Sequence, residues 1–226
     1  MSADGPWGRF GAQFPYLLET LLQGAEMTII VTLGGFAVAV LFGLAGAGLR
    51  TARMSWLRAL GTLYVDVFRA VPVLTQLFII YFGLAELGAK LDPIPAAIIG
   101  FGVNGGAYLT EVFRAGIEAV HRGQNEAALA IGMTRAQALL VIVLPQAMRV
   151  VVPPLGNFAI GLLKDTSVAS SVAAPELSFR AHMLVDQTYL STQIYLTVAA
   201  LYLAMSLPLA HLVRVLERRM ARSRAA

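Results

Sequence analysis

The chain contains no cysteine. That rules out a disulfide framework and any thiolate metal site, and it leaves the redox compartment unread. Charge is also scarce. Asp, Glu, Lys and Arg make up 13% of the 226 residues and 58% are hydrophobic, against roughly 25% and 45–50% in soluble domains. The three histidines, His121, His182 and His211, show no i, i+4 pair of the helical zinc type, so no metal site is expected. No G-x-x-x-x-G-K-[ST] run is present, so the chain lacks that phosphate-binding loop. No Ser/His/Asp arrangement can be argued from spacing, and no catalytic residue is expected. No repeat divides the chain into similar halves. The N-terminal residues carry no basic leader, and Gln13, Glu19 and Gln23 interrupt their apolar stretch; a secretory signal is not expected there.

What is present is a series of apolar runs long enough to cross a hydrocarbon core, which takes about 20 residues. Residues 1–24 read as an amphipathic lead-in at the membrane surface. Residues 27–49 form an uncharged run closed by Arg50, Arg53 and Arg58. A second run, about 57–87, holds Asp66, Arg69 and Pro72, and the missing donor at Pro72 predicts a kink. The third, 96 to about 113, carries Gly100, Gly102, Gly105 and Gly106, small residues that let helices approach closely. Residues 136–163 are apolar but broken by Pro145 and Pro153-Pro154, which predicts a short surface helix followed by a span. Residues 164–193 are mixed and suit a short helix or re-entrant piece. The last span covers about 194–216, and 217–226 form a basic tail. The expected fold class is an all-α membrane protein with about five transmembrane helices, its membrane domain spanning 25–216.

The formal net charge of +4 suits nucleic acid or an anionic membrane equally, and the placement of the basic residues decides. Arg50, Arg53 and Arg58 follow span one, Arg114, Arg122 and Arg135 follow span three, and Arg214, Arg218, Arg219, Arg222 and Arg224 follow span five. The opposite loops hold only Arg9, Lys90 and Arg180. Lys/Arg excess marks cytoplasmic loops, so the N-terminus is expected outside and the C-terminus inside, with a cytoplasmic loop at about 114–146. No nucleic-acid partner is expected.

Within that loop, Glu126 is expected near the start of a short helix, where negative charge meets the positive helix end. Ala127, Ala128 and Ala130 favour helix with little bulk. Gly132 is placed to end the helix in a left-handed conformation, and Thr134 to cap the next one. Local chemistry fits two readings equally: an ordinary amphipathic surface helix, or a small rigid helix that seats in another protein's groove.

Glu126-Ala127-Ala128, then Gly132, then Ile142-x-Leu144-Pro145 resembles the coupling motif of binding-protein-dependent ABC importer permeases, with every anchor at the family spacing. Tyr64 to Pro72, Ala107 to Gly116, and Leu163 to Val168 with Pro175-Glu176-Leu177 resemble signatures of the polar amino-acid branch, the histidine, glutamine, arginine and opine type. Ala70 and Ala115 depart from it, standing where the branch usually has glycine. The similarity covers about residues 24–219. It implies a type I importer, MetI-like permease fold in a bacterial inner membrane. It also implies two copies of an ABC ATPase, which bind the ATP and Mg that this chain does not, docked on the coupling helices. A second permease, identical or paralogous, and an extracytoplasmic amino-acid-binding protein complete the implied assembly. An ion-gradient-driven secondary transporter is the rival, and it leaves the complete motif unexplained.

Charges within spans are costly and default to functional candidates. Asp66 and Arg69 are three apart, so pairing with each other is favoured over substrate contact. Glu111 and Arg114 share that spacing, and a structural pair is favoured there too. Lys164 and Asp165 are expected to shape or gate a central path. Asn104, Asn157, Thr166, Ser167 and Ser170 either line such a path or hydrogen-bond between helices.

Overall fold

A computed structural model describes residues 5–222. All regular structure among them is helical. In chain order the helices are α1 (Pro6–Arg50), α2 (Ser55–Ala70), α3 (Val73–Glu86), α4 (Pro93–Glu118), α5 (Arg122–Ala130), α6 (Arg135–Val172), α7 (Leu177–Thr188) and α8 (Ser191–Arg222). Four of these, α1, α4, α6 and α8, are long and apolar enough to cross a membrane, and the bent pair α2–α3 makes a fifth candidate.

The spine is α1. At 45 residues it is about 67 Å long at 1.5 Å per residue, twice the hydrocarbon thickness of about 30 Å. The helix runs unbroken from Pro6, passing through Pro15 and across the expected junction between lead-in and first span. Gln13, Glu19 and Gln23 do not interrupt it, because Leu17 and Leu21 bury the other face against α7 and α8. Three core clusters are strung along α1. One joins Leu17 and Leu21 to Leu177, Ala181, Leu184 and Ile194. A second joins Val31 to Leu77, Phe101, Leu162 and Val172. The third joins Ala39 and Ala47 to Leu109, Phe113 and Val151.

The closest seam is between α1 and α4. A Cβ on Gly43 would lie 2.7 Å from Leu109 Cβ, and one on Gly46 would run into Thr110. From α4, Gly102 abuts Val38 and Gly105 abuts Phe158 and Ala39. Small residues matter here because lipid is as apolar as Leu, and only close packing favours helix on helix over helix on lipid.

The second span is broken more sharply than the expected kink. α2 and α3 meet at 103°, with Val71 and Pro72 extended at ψ 129° and 139°. Pro72 has no N–H to offer the Phe68 carbonyl four residues back. Two side chains take its place: Gln76 Nε2 donates to Phe68 O at 2.9 Å and Asn104 Nδ2 donates to it at 2.8 Å. Gln76 Nε2 also donates to Val71 O at 2.7 Å. Non-helical backbone survives at membrane depth only when its polar groups are satisfied within the protein.

The expected interruptions in 136–163 are also corrected. α6 continues through Pro153 and Pro154, and Pro145 follows a π-helical stretch, Ala138–Val143. Local π geometry of this kind lets a membrane helix absorb proline without ending. The expected short helix after residue 164 is present as the 3₁₀ end of α6, Thr166–Val172, and α7.

Two outcomes are expected from this packing. Gly43→Val should destabilise the detergent-solubilised chain by about 1–3 kcal/mol through overpacking, read as a lower midpoint in a thermal aggregation assay. Gly48→Ala, where an added Cβ meets nothing within 4 Å, should leave the midpoint unchanged. Gln76→Leu should cost about 1–3 kcal/mol by stranding the Val71 carbonyl. Adding Asn104→Leu should cost more than the sum of the singles, since Phe68 O then loses both donors.

Candidate coupling site

α5 is a nine-residue helix held at both ends by its own sequence. At its start His121 Nδ1 accepts from the Gly123 N–H at 3.1 Å. At its end Gly132 takes φ +88°. The Met133 N–H donates to Ala128 O at 3.1 Å and the Gly132 N–H to Leu129 O at 3.0 Å. Those are the two bonds of a Schellman motif. Thr134 then opens α6 with a capping box: Gln137 N–H donates to Thr134 Oγ1 at 3.3 Å, and Thr134 N–H to Gln137 Oε1 at 2.8 Å. The chain thus leaves one helix and enters the next over four residues, Ile131 to Thr134.

The Gly132 and Thr134 expectations match this geometry. That for Glu126 is corrected: the helix begins at Arg122, so Glu126 lies one turn in, and the first turn holds no acidic residue. The sequence reading missed the cap because histidine is not among the usual capping residues.

α5 lies against the π stretch of α6 with Ala128 buried and Glu126 and Ala127 exposed. Ile131 is 79% exposed at its tip. Gln146 secures the base, donating to Ile142 O at 2.9 Å and reaching Gln124 Oε1 on α5 at 3.4 Å. Leu144 and Pro145 are exposed beside it, and Ile142 is half-buried. A cleft of about 600 Å³ opens between α5, the end of α4 and the π stretch, lined by Glu118, His121, Arg122, Asn125, Glu126 and Leu139 among others. The arrangement presents a short, rigid, exposed helix fastened to two spans.

The charged residues of the spans fall into two groups. Asp66 and Arg69 do not pair, contrary to the reading from their spacing; Arg69 lies over the Tyr108 ring at 5.1 Å, and no salt bridge involves Asp66 among the described residues. Glu111 does pair with Arg114, at 2.7 Å, and also with Arg50 on α1, at 2.8 Å. Asn157, Lys164 and Asp165 are exposed on α6. Thr166 is fully buried and donates to Leu163 O at 2.8 Å, while Ser167 is half-buried with its carbonyl accepting from Ser170 Oγ at 2.8 Å.

Glu176 went unremarked in the sequence except as part of Pro175-Glu176-Leu177. It lies between α6 and α7 in the chain, fully buried, and caps α7 by accepting from Phe179 N–H at 2.8 Å and Ser178 N–H at 2.9 Å. Tyr202 OH on α8 donates to it at 3.3 Å. Burial pushes its carboxyl up to about 7, against the pull of those donors. An acid directly after proline and directly before the start of a helix was the available signal.

Known proteins give the same picture. The chain is 36% identical over 202 residues, 89% of its length and 94% of the relative's, to the probable glutamine ABC transporter permease protein GlnM of Bacillus subtilis (strain 168). It is 38% identical over 221 residues, 96% of its length and 92% of the relative's, to the L-cystine transport system permease protein TcyB of the same organism. A crystal structure of an amino acid ABC transporter with histidines superposes at TM-score 0.86 with 33% identity, covering 97% of this chain and 100% of that one. The family model of the inner membrane component of binding-protein-dependent transport systems matches residues 39–222, a stretch that takes in the broken span, α5 and its capped exit, and the chain belongs to that family.

Proposed function

We propose that this chain is the membrane-spanning subunit of an ATP-driven importer that carries a polar amino acid, or a close analogue such as an opine or zwitterionic solute, across a bacterial inner membrane. The observation that carries the reading is α5: an exposed helix, stopped by Gly132 and tied to α6 by Gln146, in a chain of this family. The relatives named for glutamine and for cystine support an amino-acid cargo, and in this reading much of the selectivity lies in the binding protein.

In this reading α5 docks in a groove of a partner ATPase, one copy for each of two permeases, and the ATP and Mg sit on that partner. Glu126, Ala127 and Gly132 make the contact, Ala128 is buried and seats α5 on α6, and Ile142, Leu144 and Pro145 join it to the span. The Arg-rich side, with Arg50, Arg53, Arg122 and Arg135, faces the cytoplasm and the N-terminal end of α1 faces outward, where an amino-acid-binding protein delivers the cargo. Asp66, Arg69, Asn157, Lys164 and Asp165 are exposed on a single chain at positions where lipid is a poor neighbour for charge. A second permease and a polar path between the two would cover them. Thr166 and Ser167 hold the backbone at the end of α6 beside that path, and Glu111 braces the cytoplasmic side.

Two experiments test the proposal. In a mild-detergent pull-down of the tagged chain from its host, an ATPase bearing a phosphate loop should come down with it. A chain that purifies alone, and drives solute accumulation from an ion gradient in vesicles, would replace the importer by a secondary transporter. The second experiment bears on α5. An added Cβ at Gly132 meets nothing within 4 Å, so the cost there is that of a left-handed backbone, about 1–2 kcal/mol. Gly132→Val should insert normally yet lower uptake per ATP hydrolysed in proteoliposomes. Gly132→Asn, which tolerates that conformation, should retain more; equal coupling in both would remove the Schellman exit from the mechanism.

A further inference from the structure

Four charges form an unbroken chain where α1 and α4 end. Arg50 Nη1, in the last turn of α1, donates to Glu111 Oε1 on α4 at 2.8 Å. The other oxygen, Glu111 Oε2, accepts from Arg114 Nη2 at 2.7 Å and Nε at 3.0 Å. Arg114 Nη1 then reaches both oxygens of Glu118 at 2.8 and 2.9 Å. Glu118 lines the cleft beside α5 together with His121, Arg122 and Glu126. Positions 111, 114 and 118 follow one stripe of α4, so the chain of charges leads along that stripe from α1 to the base of α5.

Its position gives it a task the apolar packing does not perform. The glycine seam ends at Gly46 and Thr110. One turn beyond, α1 stops, while α4 continues to Glu118 and the chain enters α5 at Arg122. Glu111 is the last tie between the two spans before the coupling helix. It is three-quarters buried, its side chain 25% exposed, and each oxygen is held by a different arginine. A carboxylate gripped from two helices fixes both distance and orientation, which apolar contact leaves free to slide.

We propose that Glu111 is a positioning residue for coupling: by holding Arg50 and Arg114 at once, it makes the adjoining ends of α1 and α4 a single rigid body, so that displacement of α5 moves both spans together. The proposal rests on the reading of α5 as the ATPase contact.

The test uses the assembled transporter in proteoliposomes, with uptake and ATP hydrolysis measured together. Glu111→Gln should keep hydrolysis but lower uptake per ATP by roughly two- to thirtyfold, the range of coupling changes seen at sites away from the ligand. Arg50→Gln, which leaves the Arg114 pair intact and covers the case of a poorly inserting Glu111 variant, should move the ratio the same way. Because the chain has no cysteine, Arg50→Cys with Glu111→Cys places a unique thiol pair across the two helices. A short bifunctional maleimide bridging that pair should restore the ratio lost in the unbridged double variant, while the same reagent leaves the unsubstituted transporter unchanged. Unaltered coupling in both single variants, or a bridge that abolishes uptake, would overturn the proposal, the latter by showing that the two ends must move apart. Absence of ATP-driven uptake in the unsubstituted complex would defeat the importer reading itself and this proposal with it.

Discussion

In a hydrocarbon solvent nothing expels one apolar helix onto another, so the fold depends on how closely α1 and α4 can approach. Gly43 and Gly46 from one side, Gly102 and Gly105 from the other, bring the backbones together where any Cβ would collide. The three core clusters all take residues from α1. The broken span, the π-containing α6 and the short α7 are thereby arranged around a single seam. The outward faces of α2 and α8 keep large exposed apolar residues such as Leu60, Leu63, Leu203 and Leu207, as suits elements with lipid or another subunit for a neighbour.

Backbone polarity sets the second constraint. A proline in a span removes a donor, and the protein answers in different ways at different places. At Pro72 the helix breaks by 103° and the amides of Gln76 and Asn104 take over the exposed carbonyls. At Pro145 the helix changes pitch to π geometry and carries on. The first answer needs polar side chains converging from α3 and α4. The second needs only local adjustment within one helix. Both satisfy the requirement that no backbone group face lipid unpaired.

The mechanical logic of the chain follows from these rigid parts. α5 is stopped at both ends and bound at its base. Gln146 ties it to α6, and the Arg50–Glu111–Arg114–Glu118 charges tie the end of α4 to α1. Buried in part and paired on both sides, Glu111 avoids the cost of a lone intramembrane charge.

By itself, the sequence determined the solvent class, the helical architecture, the number of apolar runs and the family resemblance carried by the Glu126–Pro145 pattern. Those are set by local quantities: apolar run length, the spacing of Glu126 to Pro145, and the backbone freedom of Gly132. Even the exit of α5 was legible, because a left-handed glycine followed by threonine is a local signal. What only the tertiary structure decided were the partners. Asp66 and Arg69 had the right spacing to pair, yet Tyr108 on a neighbouring helix competes for the guanidinium. Arg50 read as an orienting charge until α4 brought Glu111 to it from 61 positions along the chain. Glu176 read as part of a motif until α7 and α8 enclosed it. Helix continuity through Pro15, Pro153 and Pro154 was likewise decided by tertiary structure, since packing against neighbouring helices outweighs the local cost of a missing hydrogen bond. Local sequence sets what each segment is able to form; which side chains meet depends on contacts between segments far apart in the chain, and spacing along one helix carries no record of them.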